Sequence, residues 1–530
     1  MKIDLFMITI LFLLLGSSWG EEQASSEIIT QIERAQPIID DTIYGDLVFG
    51  NISVKSPIYI TNCTFVGAVD FRGARFEKPL FLVNNKFKGK LFANNLTQFN
   101  GDILFDDSEF YDIINFRETL VKNMQCRGVK FAGDVIFWNC RFIGRSDFRD
   151  AIFLGDADFE RCAFNGQTGF SGCKFKKDAH FQNIESSRIN RITFSDSVFS
   201  GDADFSNAHL YNSSANDCTF EKSAIFSGVE FERVSYFRRT EFGGLADFER
   251  CKFFNDTTFT EAAFNKSASF SNANFFNNAD FSRSRFAEKA DFLKASFHGN
   301  STFNEAQFNG DLSFEGVTFL GCLALSKTKF NKIYVRWNDI RDNLEYDDAA
   351  YMALQENFKK LGLIDDLDGC YYRYRSSHRQ QNWTSTIQTG MLGYLDEKFR
   401  KFIDFLLDIL YKYGVDPLRP FIISLILILS SAFLWWIIGI GEIVDINGEN
   451  IIKNGFWSEV VSLREPIIFS FLIFLSAAKF FIDTPIVKIP QPIERTYSWS
   501  KYILYFERAF AGILLALLFI AISRTIVRNA

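Results

Sequence analysis

The chain has 530 residues, enough for two or more domains, and its 63 Phe against 9 Pro and 8 Trp make one residue type the main source of apolar core. A net charge of −7 excludes the basic footprint of a nucleic-acid binder and that of a basic membrane-surface domain.

The N-terminus reads MKIDLFMITILFLLLGSSWGEE: one Lys, an apolar run from Leu5 to Leu15, then small residues. This pattern predicts a secretory signal peptide over residues 1–20, cleaved after Gly20; the alternative is an uncleaved anchor helix. Sequons at Asn51, Asn62, Asn95, Asn212, Asn255, Asn265, Asn300 and Asn382 are compatible with export, although an Asn- and Ser-rich chain produces several by chance. Residues 21–44 are read as an N-terminal segment or cap.

One period dominates the middle of the chain. Phe220, Phe231, Phe242, Phe253, Phe264, Phe275, Phe286, Phe297, Phe308, Phe319 and Phe330 recur every eleven residues. A second series, Phe226 to Phe314 with Leu325 closing it, interleaves, so the combined spacing alternates six and five. The same alternation runs from Phe131 to Phe181 and, less cleanly, from Phe65; the register slips near 120–130 and at 182–218. A helix face repeats at about 3.6 residues and a strand face at 2, so neither explains this spacing. A chain that turns a corner after every Phe does. Four sides then make a coil of about 22 residues, stacked at roughly 4.8 Å on its neighbours, with equivalent Phe rings forming columns. The residue two before each Phe is small (Ala279, Ser284, Ala290, Ala295, Ser301, Ala306), as a narrow coil requires.

Stretches such as GDADFSNAHL, EKADFLKASF and GLADFERCKF resemble the pentapeptide-repeat family over residues 45–332. The resemblance implies an all-β right-handed quadrilateral β-helix. The alternating sixth residue departs from a strict five-residue period and predicts coils that are larger, or bulged, at alternate corners. About twelve coils would make a rod on the order of 55–60 Å long.

The other candidate residues read as structural. Cys63, Cys140, Cys162, Cys173, Cys218 and Cys251 lie two residues before a Phe and are expected to serve as small apolar fillers. Cys140 and Cys162 stack one coil apart, but parallel in-register side chains seldom meet disulfide geometry; Cys126, Cys322 and Cys370 have no assigned place. His180, His209, His298 and His378 show no metal-pair spacing, and no metal site, cofactor or catalytic residue is expected. Asp158, Asp204, Asp247, Asp280 and Asp291 repeat in register, which makes them outward and solvated rather than an acid–base array. Residues 46–330 are nearly balanced in charge, so the acidic DNA mimicry known for some pentapeptide-repeat proteins is not expected, and neither is a nucleic-acid partner.

Past Phe330 the period stops. Residues 346–362 place Tyr351, Leu354, Phe358 and Leu361 on one helical face, with Gly362 as a stop. Such a helix suits the open end of the solenoid, the alternative being a partner-binding helix. The connector 333–415, with DDLDGCYYRYRSSHRQ and KYGVDPLRPF, resembles that of pentapeptide-repeat proteins fused to a two-helix ion-channel domain. In the membrane domain 416–530, apolar spans are expected at 420–440, 466–483 and 503–523. The last resembles the pore-lining helix of that channel domain, closing on Arg524 and Arg528; the middle one stands in the place of the pore loop without a T-x-G-Y-G-type filter. Lys479 and Asp483 are the membrane-functional candidates, with snorkelling to the interface as the structural alternative for Lys479.

Two signals disagree on sidedness. Lys398, Arg400, Lys401, Lys412 and Arg419 precede the first span, which puts the connector in the cytoplasm by charge, whereas a signal peptide exports it. The exported rod is the favoured expectation. The whole reads as a non-enzymatic, multi-pass membrane-anchored scaffold or interaction rod outside the cytoplasm. Its expected partners are the lipid bilayer, an unknown protein and a second copy through the membrane domain. The rival is channel-like transport, with the solenoid as a sensory or assembly domain.

Overall fold

The computed structural model describes residues 27–94, 96–188, 190–384, 391–416, 418–438, 443–444, 450–452, 463–477 and 499–529. The chain forms two units, Met1–Ala350 and Tyr351–Ala530.

In the first unit most strands are two residues long, with one side chain buried and its neighbour exposed or half-buried. Asn274–Phe275, Ala279–Asp280, Arg285–Phe286 and Ala290–Asp291 are four consecutive sides of one turn. Each pairs in parallel with the strand one turn away, so Phe275 meets Phe297 and Phe286 meets Phe308. About 13 such turns form a parallel β-solenoid whose strands fall into one 25-stranded and one 26-stranded sheet.

The alternating spacing has a local cause. On the five-residue sides the chain makes a β-turn: Ser284 N–H donates to Phe281 O (3.2 Å), and Arg283 between them has φ 58°. The same left-handed residue recurs at Asn272, Lys294 and Glu305, every eleventh position. On the six-residue sides the corner opens into a bend, as at 287–288, without a left-handed residue. The expected difference between alternate corners is therefore a difference of turn type.

Inside, the columns form as expected. Phe259, Phe281 and Phe303 stack at 4.9 and 5.0 Å, and Phe281 meets Phe270 of the facing column edge-on at 5.3 Å and 87°. Rings one turn apart lie nearly parallel, and rings of the two columns meet at right angles, the geometry their quadrupoles prefer. The irregular stretch at 182–218 changes loop length and keeps the Phe175–Phe199–Phe220 and Phe181–Phe205–Phe226 columns, while Ser186 and Ala215 interrupt the other two. Thr168 pairs with Ile192, 24 residues on, whereas Ile192 pairs with Ser213, only 21 on. A second irregularity falls at the slip expected at 120–130: Phe99 pairs with Val121, 22 residues on, but Ile103 pairs with Met124, 21 on.

Both ends of the solenoid are covered within this unit. At the start, residues 27–33 form helix α1; Ile28 and Ile32, one turn apart, are buried, and Ser56 Oγ of the first coil donates to Glu33 O (3.4 Å). At the other end the chain passes through α2 (Trp337–Ile340), and Leu344 bridges to Leu323 of the last turn. Trp337, Ile340 and Leu344 are buried there. Residues 337–344 thus cover the last turn, and Asp347, at the start of the expected stretch, accepts a hydrogen bond from Ser326 Oγ of that turn (2.9 Å).

The expected helix forms as α3 (Asp348–Lys360), capped by Asp347 Oδ1 on Ala350 N–H (2.8 Å) and ended by Gly362 at φ +69°. Tyr351, Leu354 and Phe358 are buried on one face, and Tyr351 meets Tyr374 of α4 (Ile364–Thr384) at 5.9 Å. Helices α5 (Met391–Tyr411), α6 (Leu418–Ile438), α7 (Arg464–Ser476) and α8 (Trp499–Asn529) complete the second unit. Leu418–Ile437 and Tyr502–Ile520 are long and apolar enough to cross a membrane. The described part of the expected middle span is the 13-residue α7, about 20 Å of helix and too short to cross alone.

Candidate functional surfaces and a buried carboxylate

Among the described residues the solenoid interior is filled by Phe side chains. Two voids within it, one among Ile58, Ile60 and Leu80 and one beside Ala215, measure about 10 Å³ each, room for a single water. The second lies where Ala215 stands in a Phe column, after Phe194 and before Phe237.

The small inward cysteines do more than fill space. Five of the six thiols donate to a Phe carbonyl of the preceding coil, among them Cys162 to Phe137 O, Cys173 to Phe148 O and Cys251 to Phe226 O, all at 2.9 Å, and Cys63 donates to Ile38 O at 3.7 Å. Hydroxyls do the same elsewhere, as Ser197 does to Phe170 O (2.6 Å) and Thr240 to Ala215 O (2.6 Å). Where the position holds Cys, Ser or Thr rather than Ala, the side chain thus also satisfies a buried carbonyl. All nine cysteines are free, including Cys140 and Cys162. Burial pushes the Cys218 thiol up to about 12, which keeps it an uncharged donor. Cys126 replaces a Phe, between Phe105 and Phe148 in one column, Cys322 is exposed, and Cys370 is buried in α4.

The repeated aspartates are half-buried turn residues. Asp158, Asp204, Asp247, Asp280 and Asp291 each accept the N–H two residues on, at 2.8–3.0 Å. That bond closes an Asx turn at the corner.

Register brings together groups that sequence separation hides. Asp147 is buried, and Arg127, Arg145 and Arg149, all partly exposed, reach its carboxylate at 2.7, 3.0 and 2.7 Å. Burial alone would raise its pKa, but the Arg149 and Arg127 guanidinium groups overcome this and hold it at about 2. The surface there carries three cations around one anion. Farther along, His209 Nε2 lies 2.9 Å from Glu232 Oε1 beside Glu230, a grouping whose ligand atoms all lie within 4.8 Å of one another. Lys252 already pairs with Glu230 at 2.8 Å, and the group is solvent-facing. Residue spacing alone did not flag this set, because its members meet only through the strand register. An open groove of about 690 Å³ runs past Glu118, Arg141, Arg161, Asn183 and Glu185.

In the helical unit, charged groups of α4 and α5 meet directly. Arg375 and Arg379 of α4 pair with Asp404 and Asp408 of α5 at 2.9 and 2.8 Å, and the Tyr413 hydroxyl donates to Asp404 Oδ2 (3.0 Å). Burial and the Asp404 carboxylate push the Tyr413 phenol well above its usual range. Deeper in the bundle, Glu507 of α8 is 1% exposed. Trp435 Nε1–H of α6 donates to its Oε2 (2.8 Å), and the Ser470 hydroxyl of α7 donates to its Oε1. Trp435 itself packs with Phe469, Ile473 and Leu504. Sequence reasoning passed over Glu507; the available signal was an acidic residue inside the apolar run YFERAFAGILLALLFIAISR. The expected membrane-functional residues Lys479 and Asp483 lie outside the described residues.

Compared with protein families, the chain matches pentapeptide repeats (9 copies) over residues 148–188, 194–241, 237–285, 270–318 and 281–329. No curated protein and no solved structure matches it.

Proposed function

We propose that this chain, whose residues 148–329 carry pentapeptide repeats, is a non-enzymatic interaction rod tethered to a membrane by its helical unit and displayed outside the cytoplasm. The observation that carries the reading is the filled interior. Phe columns occupy every turn, so recognition is left to the rigid outer faces and the open groove beside Arg141 and Glu185. Rigid repetitive surfaces of this kind bind extended partners by shape and charge. The right-handed winding that the repeats imply belongs to the same reading. So does anchoring through Leu418–Ile437 and Tyr502–Ile520, with self-association in the membrane as a further partner.

The test is a face scan in the full-length membrane protein. Charge reversals at Arg141 and Arg161, at Arg127 and Arg149, and at Lys266 and Lys289 are compared for recovery of crosslinked partners. Loss confined to one face supports an interaction rod; equal recovery from all variants contradicts it. A protease-accessible tag near residue 340 on intact cells checks the sidedness.

A second reading, channel-like transport, draws on Glu507. An ionisable group deep among apolar helices is costly and is a functional candidate by default. Reconstituted protein that carries ion flux, lost in Glu507→Gln, supports transport; absence of flux in both removes that reading.

A further inference from the structure

Helix α5 leaves an apolar arc uncovered. Phe399 is 63%, Phe402 55%, Ile403 37%, Phe405 43% and Ile409 45% exposed. At 100° per residue these side chains share one side of the helix with Leu406 and Leu410, while Arg400, Lys401, Asp404 and Asp408 take the other.

The helix cannot roll to hide this arc. Asp404 and Asp408 are held by Arg375 and Arg379, which fixes the polar side against α4. Leu410, at the C-terminal end of α5, is buried with Ile428 of α6 and Ala511 and Leu514 of α8, which docks that end onto the two apolar helices. Beyond the elbow at Lys412–Gly414 the same kind of surface continues in α6, where Leu418, Phe421, Ile422 and Leu425 are exposed. Lys398, Arg400 and Lys401 lie along α5 itself, and Lys412 and Arg419 at the elbow pair with Asp416 at 3.8 and 3.4 Å.

We propose that α5 lies in the interface of a bilayer, its Phe399–Phe402–Phe405 side among the acyl chains and its basic residues at anionic lipid phosphates. The occupant is a lipid surface because the arc is continuous with the apolar surface of helices long enough to cross a bilayer, and because α5 carries Lys398, Arg400 and Lys401 beside Phe399 and Phe402. A large apolar side next to cationic residues, on a helix adjoining a span, is the composition of interfacial helices. The proposal rests on the membrane reading given above.

Cys322 is the exposed cysteine of the nine, so Cys322→Ala makes a background for site-specific nitroxide labelling at three sites. These are Phe402→Cys on the arc, Arg400→Cys opposite it and Leu425→Cys on α6. The full-length protein is placed in vesicles of phosphatidylcholine and phosphatidylglycerol, and relaxation by oxygen is compared with relaxation by a water-soluble nickel chelate. The expected result is an oxygen-to-nickel ratio several-fold higher at Phe402 and Leu425 than at Arg400. A nickel-dominated Phe402 beside an oxygen-dominated Leu425 overturns the interfacial helix and leaves the membrane reading standing. A Phe402 label shielded from both reagents also overturns it, by showing a second copy or another protein over the arc. Nickel access at Leu425 as well overturns both.

Discussion

The solenoid and the helical unit hold themselves together in different ways. In the solenoid most inward sides carry a Phe, the next turn repeats it about 5 Å away, and at many turns a buried carbonyl finds a Cys, Ser or Thr donor at a fixed place. Stability is then spread along the axis, each turn depending on its neighbours. In the helical unit the buried polar contacts fall on a few residues that occur once: Asp404, Asp408 and Tyr413 at the elbow, and Glu507 in the bundle. A repeat buys tolerance of irregular loops, as at 182–218, whereas a bundle built on single contacts has no second copy of any of them.

Four substitutions and one titration sharpen that contrast. Phe248→Ala removes a fully buried ring stacked on Phe226 and Phe270 and should cost about 3–5 kcal/mol. Hydrogen exchange should show the loss confined to the adjoining turns; protection lost along the whole solenoid would contradict the spread of stability. Trp435→Phe leaves Glu507 Oε2 without its Trp donor and should cost up to about 3 kcal/mol. Its thermal unfolding in detergent should shift as one transition for the helical unit.

The titration concerns Asp147, which reports the exception inside the solenoid, a site resting on one residue. Its pKa lies at about 2, below the ordinary 3.8. The stabilisation is therefore fully present above about pH 4 and is lost as pH falls through about 2, amounting to about 2 kcal/mol. Acid unfolding of Asp147→Asn should lack that component, and an identical acid profile would show that the arginines add nothing. Tyr413→Phe deletes the hydroxyl bond to Asp404 and should cost about 1 kcal/mol, read by thermal unfolding of the helical unit. Arg283→Gly should have the smallest effect and the opposite sign. Relieving a left-handed φ of 58° should add up to about 1 kcal/mol, read as a raised melting temperature.

Much of the solenoid was legible because its cause is a period. Phe281 has to face inward once Phe259 and Phe303 do, and the small residue before each turn is set by the space left. What the period does not encode is contact across turns. Arg127 joins Arg145 and Arg149, the neighbours two residues to either side of Asp147, only after Gln125 and Asp147 are set in register. The donor role of Cys162 is likewise invisible until the Phe137 carbonyl lies beside it. In the helical unit hydropathy located α6 and α8, and the face of α3 was set by Tyr351, Leu354 and Phe358. Glu507 escaped because a hydropathy average hides one carboxylate among many apolar residues, and its partners Trp435 and Ser470 lie 72 and 37 residues away.

The central claim is that the helical unit holds the solenoid at a membrane, and alkaline carbonate extraction of membranes from cells expressing the full chain tests it most directly. The account predicts that the protein stays in the membrane pellet and floats with lipid on a density gradient. Release into the alkaline supernatant would contradict it, and would make α6 and α8 the core helices of a soluble domain.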